Sequence, residues 1–406
     1  IGNAFMEQNT QPFAGMRVID FTRVVSGPYA TSQLAMLGAD VIKIESPGPG
    51  DEARQMTTDS DMAAANMAPM YMACGMNKRS VALNLKNSAA HAVAVKLIEM
   101  ADIVVENFRP GVIDRLGLGY ETMRKANPRL VWCAISGFGQ TGPRSSAAAY
   151  DARLQGMSGL MSITGHPETG PTRAGFAVVD AATGMAAAFG IASALVQRSQ
   201  TGQGQYIDVA MLDTILSAMA PSVAEWTVGG TVPGLSGNQG TSGRPTANLF
   251  RCRGGYLMLA ANNERQYQAL ANTIGADAML TDPRFKDWDT RRANAEDLRV
   301  VIEAALASAD GETWESKLDP AGVPVSRVRD MQSIAADPQV AHRALLHAFG
   351  ADDGGIGKAY SLVGAPFQFA SGGPAITARP PKVGEHTEAI LRDLGLDDAE
   401  IAAVTA

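Results

Sequence analysis

The strongest constraint on this chain is an alternation, through its first half, of short apolar strand patterns with helix-forming stretches. Met16-Arg-Val-Ile-Asp-Phe-Thr22 reads as a strand, Ser26 to Leu37 as a helix stopped by Gly38, and Ala39-Asp-Val-Ile-Lys-Ile-Glu45 as a second strand. Ser80 to Leu85 alternates like a strand, and Ser88 to Met100 carries helical spacing through Val93, Leu97 and Met100. Ala101 to Glu106 and Leu130 to Ile135 are two further strands, separated by a helix around Gly119 to Ala126. Strands that alternate with helices bury their apolar faces as a parallel sheet covered on both sides. The expected fold is therefore α/β, with a large doubly wound Rossmann-like domain.

From about Trp226 the pattern changes. Gly229 to Pro245 is rich in Gly, Thr, Pro and Ser without periodicity, and is followed by the strand-like Tyr256-Leu-Met-Leu-Ala260 and a series of helices. At roughly 150 residues per domain, 406 residues fit two units. We expect a first part of the large domain over 14–225, a smaller inserted α+β domain over 226–343, and a return segment over 344–406 that completes the large domain. Ile1 to Phe5, ahead of Met6, are left out of this reasoning, and no signal-peptide pattern opens the chain. Ala181 to Gln197 is uncharged but mostly Ala, Gly and Ser, short of the ~20 strongly apolar residues of a membrane span. It reads as a buried helix.

Charge and motif content exclude several functions. With 34 Lys and Arg against 41 Asp and Glu, the net charge of −7 disfavours nucleic acid and acidic membrane surfaces as partners. Cys74, Cys133 and Cys252 are few and widely spaced, with no ligand spacing for zinc, so no metal and a cytoplasmic location are expected. The turn after the first strand, Phe21-Thr-Arg-Val-Val-Ser-Gly-Pro28, has one glycine where a dinucleotide fingerprint needs three. Arg23 ahead of a helix N-terminus could still hold a phosphate or carboxylate, although an isolated surface Arg is the plainer reading. Gly-x-Ser-x-Gly, His-Glu-x-x-His and Walker A patterns are absent, and the five histidines read as structural or solvated.

Two carboxylates stand in otherwise neutral surroundings, where a charge is costly unless something compensates it. Asp180 lies between the strand-like Phe176-Ala-Val-Val179 and the helix expected from Ala181. On spacing alone it is a helix N-cap; it is also a carboxylate at a positive helix end with little bulk around it, open to an approaching carbonyl. Asp151, after Tyr150, is the second such group and also a possible cap.

Several ordered segments together resemble the family III CoA-transferases, the formyl-CoA transferase type, and their relatives the α-methylacyl-CoA racemases. They are Gly15-Met-Arg-Val-Ile-Asp-Phe-Thr22, Leu37 to Glu45, Asn77-Lys-Arg-Ser80, Val105-Glu-Asn-Phe-Arg-Pro-Gly111, Thr201-Gly-Gln-Gly-Gln205 and Gly384-Glu-His-Thr387. The resemblance implies that Asp180, in Val179-Asp-Ala-Ala-Thr-Gly184, is the nucleophile, with Asp151 its acidic partner. It assigns CoA contacts to Arg23, Val24, Val25, Asn107, Phe108 and Arg115, and a nucleotide-binding loop to Asn77, Lys78 and Arg79. The family's glycine-run lid has its nearest match in Gly237, Gly240 and Gly243. Formyl-CoA transferases tend to carry His-Val-Gln where this chain has Arg23-Val24-Val25, and often a Lys where this chain has Ala148. The racemase branch has a His at the Tyr150-Asp151 pair and a Glu where Asn262-Asn263 falls. Removing and returning a proton on both faces of a carbon needs two bases, so transfer is favoured over epimerisation.

By resemblance, then, CoA moves from an acyl-CoA thioester to a small carboxylic acid through an aspartyl anhydride and an aspartyl-CoA thioester. CoA is substrate, no cofactor is permanently bound, and two chains interlock as a homodimer. The alternatives are a racemase or epimerase, and a CoA-binding protein without catalysis.

Overall fold

The computed structural model describes residues 11–240, 242–353 and 356–405, and they form two compact units. The first takes in the chain up to Leu160, Ala174–Thr231 and everything from Gln339; the second combines Met161–Arg173 with Val232–Pro338. The contribution of Met161–Arg173 to the smaller unit was not expected. It contains a hairpin pairing Gly165–His166 with Gly170–Pro171, and the Gly165 carbonyl accepts the Gly237 amide at 2.9 Å. A hairpin this short has no period for a sequence to display.

The first unit is built on β1 (Arg17–Asp20), β2 (Asp40–Glu45), β3 (Lys78–Ala82), β4 (Ile103–Glu106) and β5 (Val131–Ser136), with Tyr206–Ala210 as the sixth strand. Their order is β3-β2-β1-β4-β5 and then Tyr206–Ala210, every pair parallel. This is the doubly wound order, which reverses between β1 and β4. Successive strand residues serve opposite faces. Ile19, Ile42, Val104 and Trp132 join one core with the helix Ser88–Glu99; Val18, Val41, Ile103 and Val131 join the other with the helices Ser26–Met36 and Val178–Thr201. The return segment adds Ile390 and Leu391 to the first of these cores.

The third strand lies earlier than its apolar alternation indicated, at Lys78–Ala82 instead of Ser80–Leu85. Pairing with β2 aligns Val41 with Lys78 and Glu45 with Ala82. The two basic residues at its start are satisfied by acids on β1 and β2: Lys78 pairs with Asp20 at 3.0 Å and Arg79 with Asp40 at 2.6 Å. Alternation of apolar residues cannot register such a strand.

Val178–Thr201 also departs from its expected form. One face packs on Ser26–Met36 and on the sheet, but Phe189 is 75% exposed and Val196 61%. By length and composition it is long and apolar enough to cross a membrane. In the second unit an antiparallel sheet, Val325–Arg327 beside Gly255–Leu259 beside Leu249–Cys252, packs with helices around Phe250, Leu257, Tyr267, Ile302 and Trp314.

Candidate active site

A cavity of about 380 Å3 opens in the first unit where the strand order reverses. It is lined by the turn after β1 (Arg23 to Ser26), the turn after β4 (Asn107 to Pro110) and Asp180. The two turns are joined directly. The Arg23 amide donates to Asn107 Oδ1, and Asn107 Nδ2 donates to the Arg23 carbonyl, both at 2.9 Å. The Arg23 guanidinium stands 5.4 Å from the centre of the Phe108 ring.

Asp180 enters this cavity because its helix begins earlier than expected. The N-cap is Ala177, the helix runs Val178–Thr201, and Asp180 sits inside the first turn. Its expected N-cap role is therefore corrected. Capping comes instead from Asp151, 8% exposed, whose Oδ2 accepts the Val179 amide at 2.8 Å and the Asp180 amide at 3.3 Å. Asp151 is thus a cap, but for a helix 27 residues away rather than for its own. Gln155, fully buried, donates to Asp151 Oδ1 at 2.5 Å and accepts the Ala174 amide at 2.9 Å, tying the chain ahead of the helix into the same arrangement.

The Gly and Ala content of this helix has a steric cause. A Cβ on Gly184 would stand 2.6 Å from the Ser26 carbonyl oxygen and 2.9 Å from the Tyr29 ring, so glycine permits the close approach of the first helix. That approach sets Ser26 on the same cavity wall as the Asp180 carboxylate. Burial first, and the Asp151 charge second, push the Asp180 carboxyl up to about 6, against the neighbouring Ser26 side chain, which lowers it. Val24, on the cavity wall, has φ of +67°, a left-handed conformation costing a β-branched residue about 1–2 kcal/mol.

The expected CoA contacts separate into two groups. Arg23, Val24, Val25, Asn107 and Phe108 share the cavity with Asp180. Arg115 is exposed on the short helix that follows and does not line it. Asn77, Lys78 and Arg79 are likewise not brought to it. Asn77 binds the return segment, accepting the Thr377 and Ala378 amides at 2.8 and 2.9 Å. Lys78 is buried on Asp20, Thr31 and the Pro28 carbonyl, and Arg79, partly exposed, pairs with Asp40. Gly237, Gly240 and Gly243 belong to the second unit. The Ala181 amide, a natural oxyanion donor had the helix begin there, is spent on the Ala177 carbonyl at 3.0 Å.

Two residues that shape the site gave no legible signal. Glu106, 3% exposed at the end of β4, accepts the Phe108 amide at 2.8 Å and so fixes the second turn. Burial pushes its carboxyl up to about 8 against that hydrogen bond, with Asp114 and Asp208 adding to the rise. Asp51, 2% exposed, accepts the Val24 amide at 3.1 Å from beneath the first turn. Asp51 stands in polar sequence and Glu106 at the end of an apolar strand, and only tertiary burial shows which amide each of them holds. Among the described residues no group of His, Cys, Asp and Glu is arranged to hold a metal ion.

The sequence profile of CoA-transferase family III matches residues 13–387. The chain is 39% identical to acetyl-CoA:oxalate CoA-transferase of Acetobacter aceti, over 82% of this chain and 85% of that enzyme. It is 35% identical to succinate–glutarate CoA-transferase of Agrobacterium fabrum, over 96% and 97%. A crystal structure of a CAIB/BAIF family protein from Brucella suis superposes with a TM-score of 0.86 at 31% identity, covering 95% of this chain and all of that one.

Proposed function

The chain belongs to CoA-transferase family III, and from that premise we propose that it moves CoA from an acyl-CoA thioester to a small carboxylic acid through covalent intermediates on Asp180. The observation that carries this reading is the Asp180 carboxylate, set in the first turn of a helix, partly desolvated, and sharing a cavity with the turns after β1 and β4. Partial desolvation and a raised pKa make a carboxylate more nucleophilic while it stays largely ionised at neutral pH.

An Asp180 oxygen attacks the thioester carbonyl; the C–S bond breaks, leaving a mixed anhydride and CoA thiolate. The thiolate attacks the aspartyl carbonyl, releasing the donor acid as its carboxylate and leaving an aspartyl-CoA thioester. The acceptor carboxylate attacks that thioester, forming a second anhydride and thiolate again. Attack of this thiolate on the acceptor's carbonyl yields the new acyl-CoA and restores the Asp180 carboxylate. One thioester replaces another, so no external energy source enters. For the oxyanions, the first helix supplies the available donors: no side chain caps it, and its first-turn amides belong to Ser26, which shares the cavity with Asp180, and to Gly27. The relatives' names point to dicarboxylates such as oxalate, succinate and glutarate as the acid class.

Incubation with a panel of acyl-CoAs followed by hydroxylamine is expected to leave a hydroxamate on Asp180, located by peptide mass. The yield should rise with pH through about 6, as the carboxylate ionises. Absence of any adduct while CoA esters still bind, with deuterium entering the α-position of a 2-methylacyl-CoA, would instead indicate epimerisation.

We also propose the interlocked homodimer as the working form. Phe189 and Val196 on the helix Val178–Thr201, Trp226 on the helix Ala220–Thr227 and Val228 just after it are exposed apolar residues of the first unit, of a kind that association would cover. A monomeric mass in native mass spectrometry at micromolar concentration would overturn this.

A further inference from the structure

The turn after β1 is held at more points than its fold requires. Asp20 Oδ1 accepts the Thr22 amide at 2.9 Å, and Lys43 Nζ donates to the Thr22 carbonyl at 2.6 Å. Asn107 takes both the amide and the carbonyl of Arg23, and Asp51 Oδ1 takes the amide of Val24. Consecutive backbone groups from Thr22 to Val24 are thus fixed by four side chains drawn from β1, β2 and the loops after β2 and β4. At the end of this run stands Val24 with its left-handed backbone, a conformation that persists only where the surroundings over-determine it. The next residues, Val25 and Ser26, lead into the first helix, whose Ser26 lines the cavity with Asp180.

Of the four clamps, Asp51 alone acts on Val24. It does not line the cavity, although Glu52 beside it does. Its own position is fixed from below: Oδ2 is ion-paired with Lys43 at 2.9 Å, both side chains 1% exposed, and its amide donates to Glu45 Oε1 at 3.0 Å. Glu45 in turn binds Arg54 through two hydrogen bonds, at 2.8 and 2.6 Å, and the Ser80 hydroxyl at 2.6 Å. Buried charges this completely paired are costly to remove and hold their geometry rigidly.

We infer that Asp51 is a positioning residue for the transfer reaction: by holding Val24 in the left-handed conformation it fixes where Ser26 and the first-turn amides of the first helix stand against Asp180. The inference rests on the transferase reading above. Without the acceptor beneath its amide, Val24 relaxes toward the ordinary right-handed or extended regions, and the start of the helix moves with it. Asp51 touches no substrate in this account; its effect passes through the backbone of one strained residue.

The test uses full-length Asp51→Ala, Val24→Gly and the double variant. Misplacement of reacting groups by about 1 Å costs ~10²-fold, so Asp51→Ala should lower kcat by that order while KM for the acceptor acid changes little. Glycine adopts positive φ without strain, so adding Val24→Gly to Asp51→Ala should recover most of the lost kcat. Hydrogen–deuterium exchange, which requires no turnover, should show faster exchange in the peptide around Phe21–Tyr29 in Asp51→Ala, with protection elsewhere retained. If Asp51→Ala does not fold, Asp51→Asn takes its place: it keeps an oxygen for the Val24 amide and drops only the charge paired with Lys43, so kcat should stay within about tenfold of wild type, and a ~10²-fold loss with unchanged local exchange would overturn the assignment. A lower melting temperature with unchanged kcat and unchanged local exchange, or a double variant no better than the single one, would overturn the assignment. A wild-type protein that binds CoA esters but transfers nothing would count against the transferase reading alone, leaving the exchange data to decide whether Asp51 holds the turn.

Discussion

Asp180→Asn is expected to lose at least ~10³-fold in kcat, about 4 kcal/mol of transition-state stabilisation, and to leave no hydroxamate after treatment with acyl-CoA and hydroxylamine. An amide at this position cannot form the anhydride, while its shape and its place in the first turn are kept. The same substitution should make the protein more stable. The carboxyl is raised from its ordinary value of 3.8 to about 6, so the unfolded chain releases this proton more readily than the folded one. Wild-type stability therefore falls as pH rises through that window, by up to ~3 kcal/mol, and stays reduced above it. Asn carries no charge and escapes the loss. Denaturant unfolding at pH 7.5 and at pH 3.5 should show a stability gain for Asp180→Asn at the higher pH and little difference at the lower. A variant that is inactive and also destabilised at pH 7.5 would mean that Asp180 supports the fold, and its assignment as an activated carboxylate would fail.

That combination of lost activity and gained stability marks a residue placed for chemistry at some cost to folding. It bears on what the sequence could reveal. Local patterns gave the parallel sheet, since the strands at Val18–Ile19, Val41–Ile42 and Ile103–Val105 place apolar residues on both faces, as only a doubly covered sheet does. Gly38 was legible as a helix stop because it adopts a φ of +97°, which few other residues tolerate. Asp180 was visible as a charge in neutral surroundings, although its place within the helix was not. The helix start is set by Asp151 from a separate segment, and a rule that looks for the cap immediately before the helix cannot see it.

Long-range pairing explains the other differences. The family resemblance assigns Asn77-Lys78-Arg79 to a nucleotide-binding loop; within the chain its partners are Asp20, Asp40 and the return segment around Thr377, more than 35 residues away in each case. Sequence shows the charges and not the partners that neutralise them. The reverse holds for Asp51 and Glu106. Asp51 sits among other polar residues and Glu106 at the polar end of an apolar strand, and each becomes consequential only because folding buries it against one backbone amide of the cavity wall. The sequence therefore disclosed residues whose local context is unusual, and concealed those whose role arises from contact.

Asp151 allows its two roles, helix cap and like-charge neighbour, to be separated by substitution. Asp151→Ala removes both. The Val179 and Asp180 amides lose their acceptor in a buried place, which should cost about 1–2 kcal/mol of stability for the cap alone. The start of the helix, and Asp180 with it, should then shift enough to lower kcat by ~10²-fold. Asp151→Asn keeps an oxygen for the Val179 amide and removes the charge. Without that repulsion the Asp180 carboxyl should titrate below about 6, moving the acid limb of the pH–rate profile to lower pH. Its kcat should stay within about tenfold of wild type, because the geometry is largely kept while a less basic carboxylate attacks less readily. Measuring kcat against pH for both variants, with unfolding curves beside them, distinguishes the roles. If the acid limb of Asp151→Asn does not move, the like-charge contribution to Asp180 is refuted and Asp151 is a cap only; if Asp151→Ala retains wild-type stability, the helix does not depend on it, and the geometry that brings Asp180 into the cavity must be set by Gly184 and Ser26 instead.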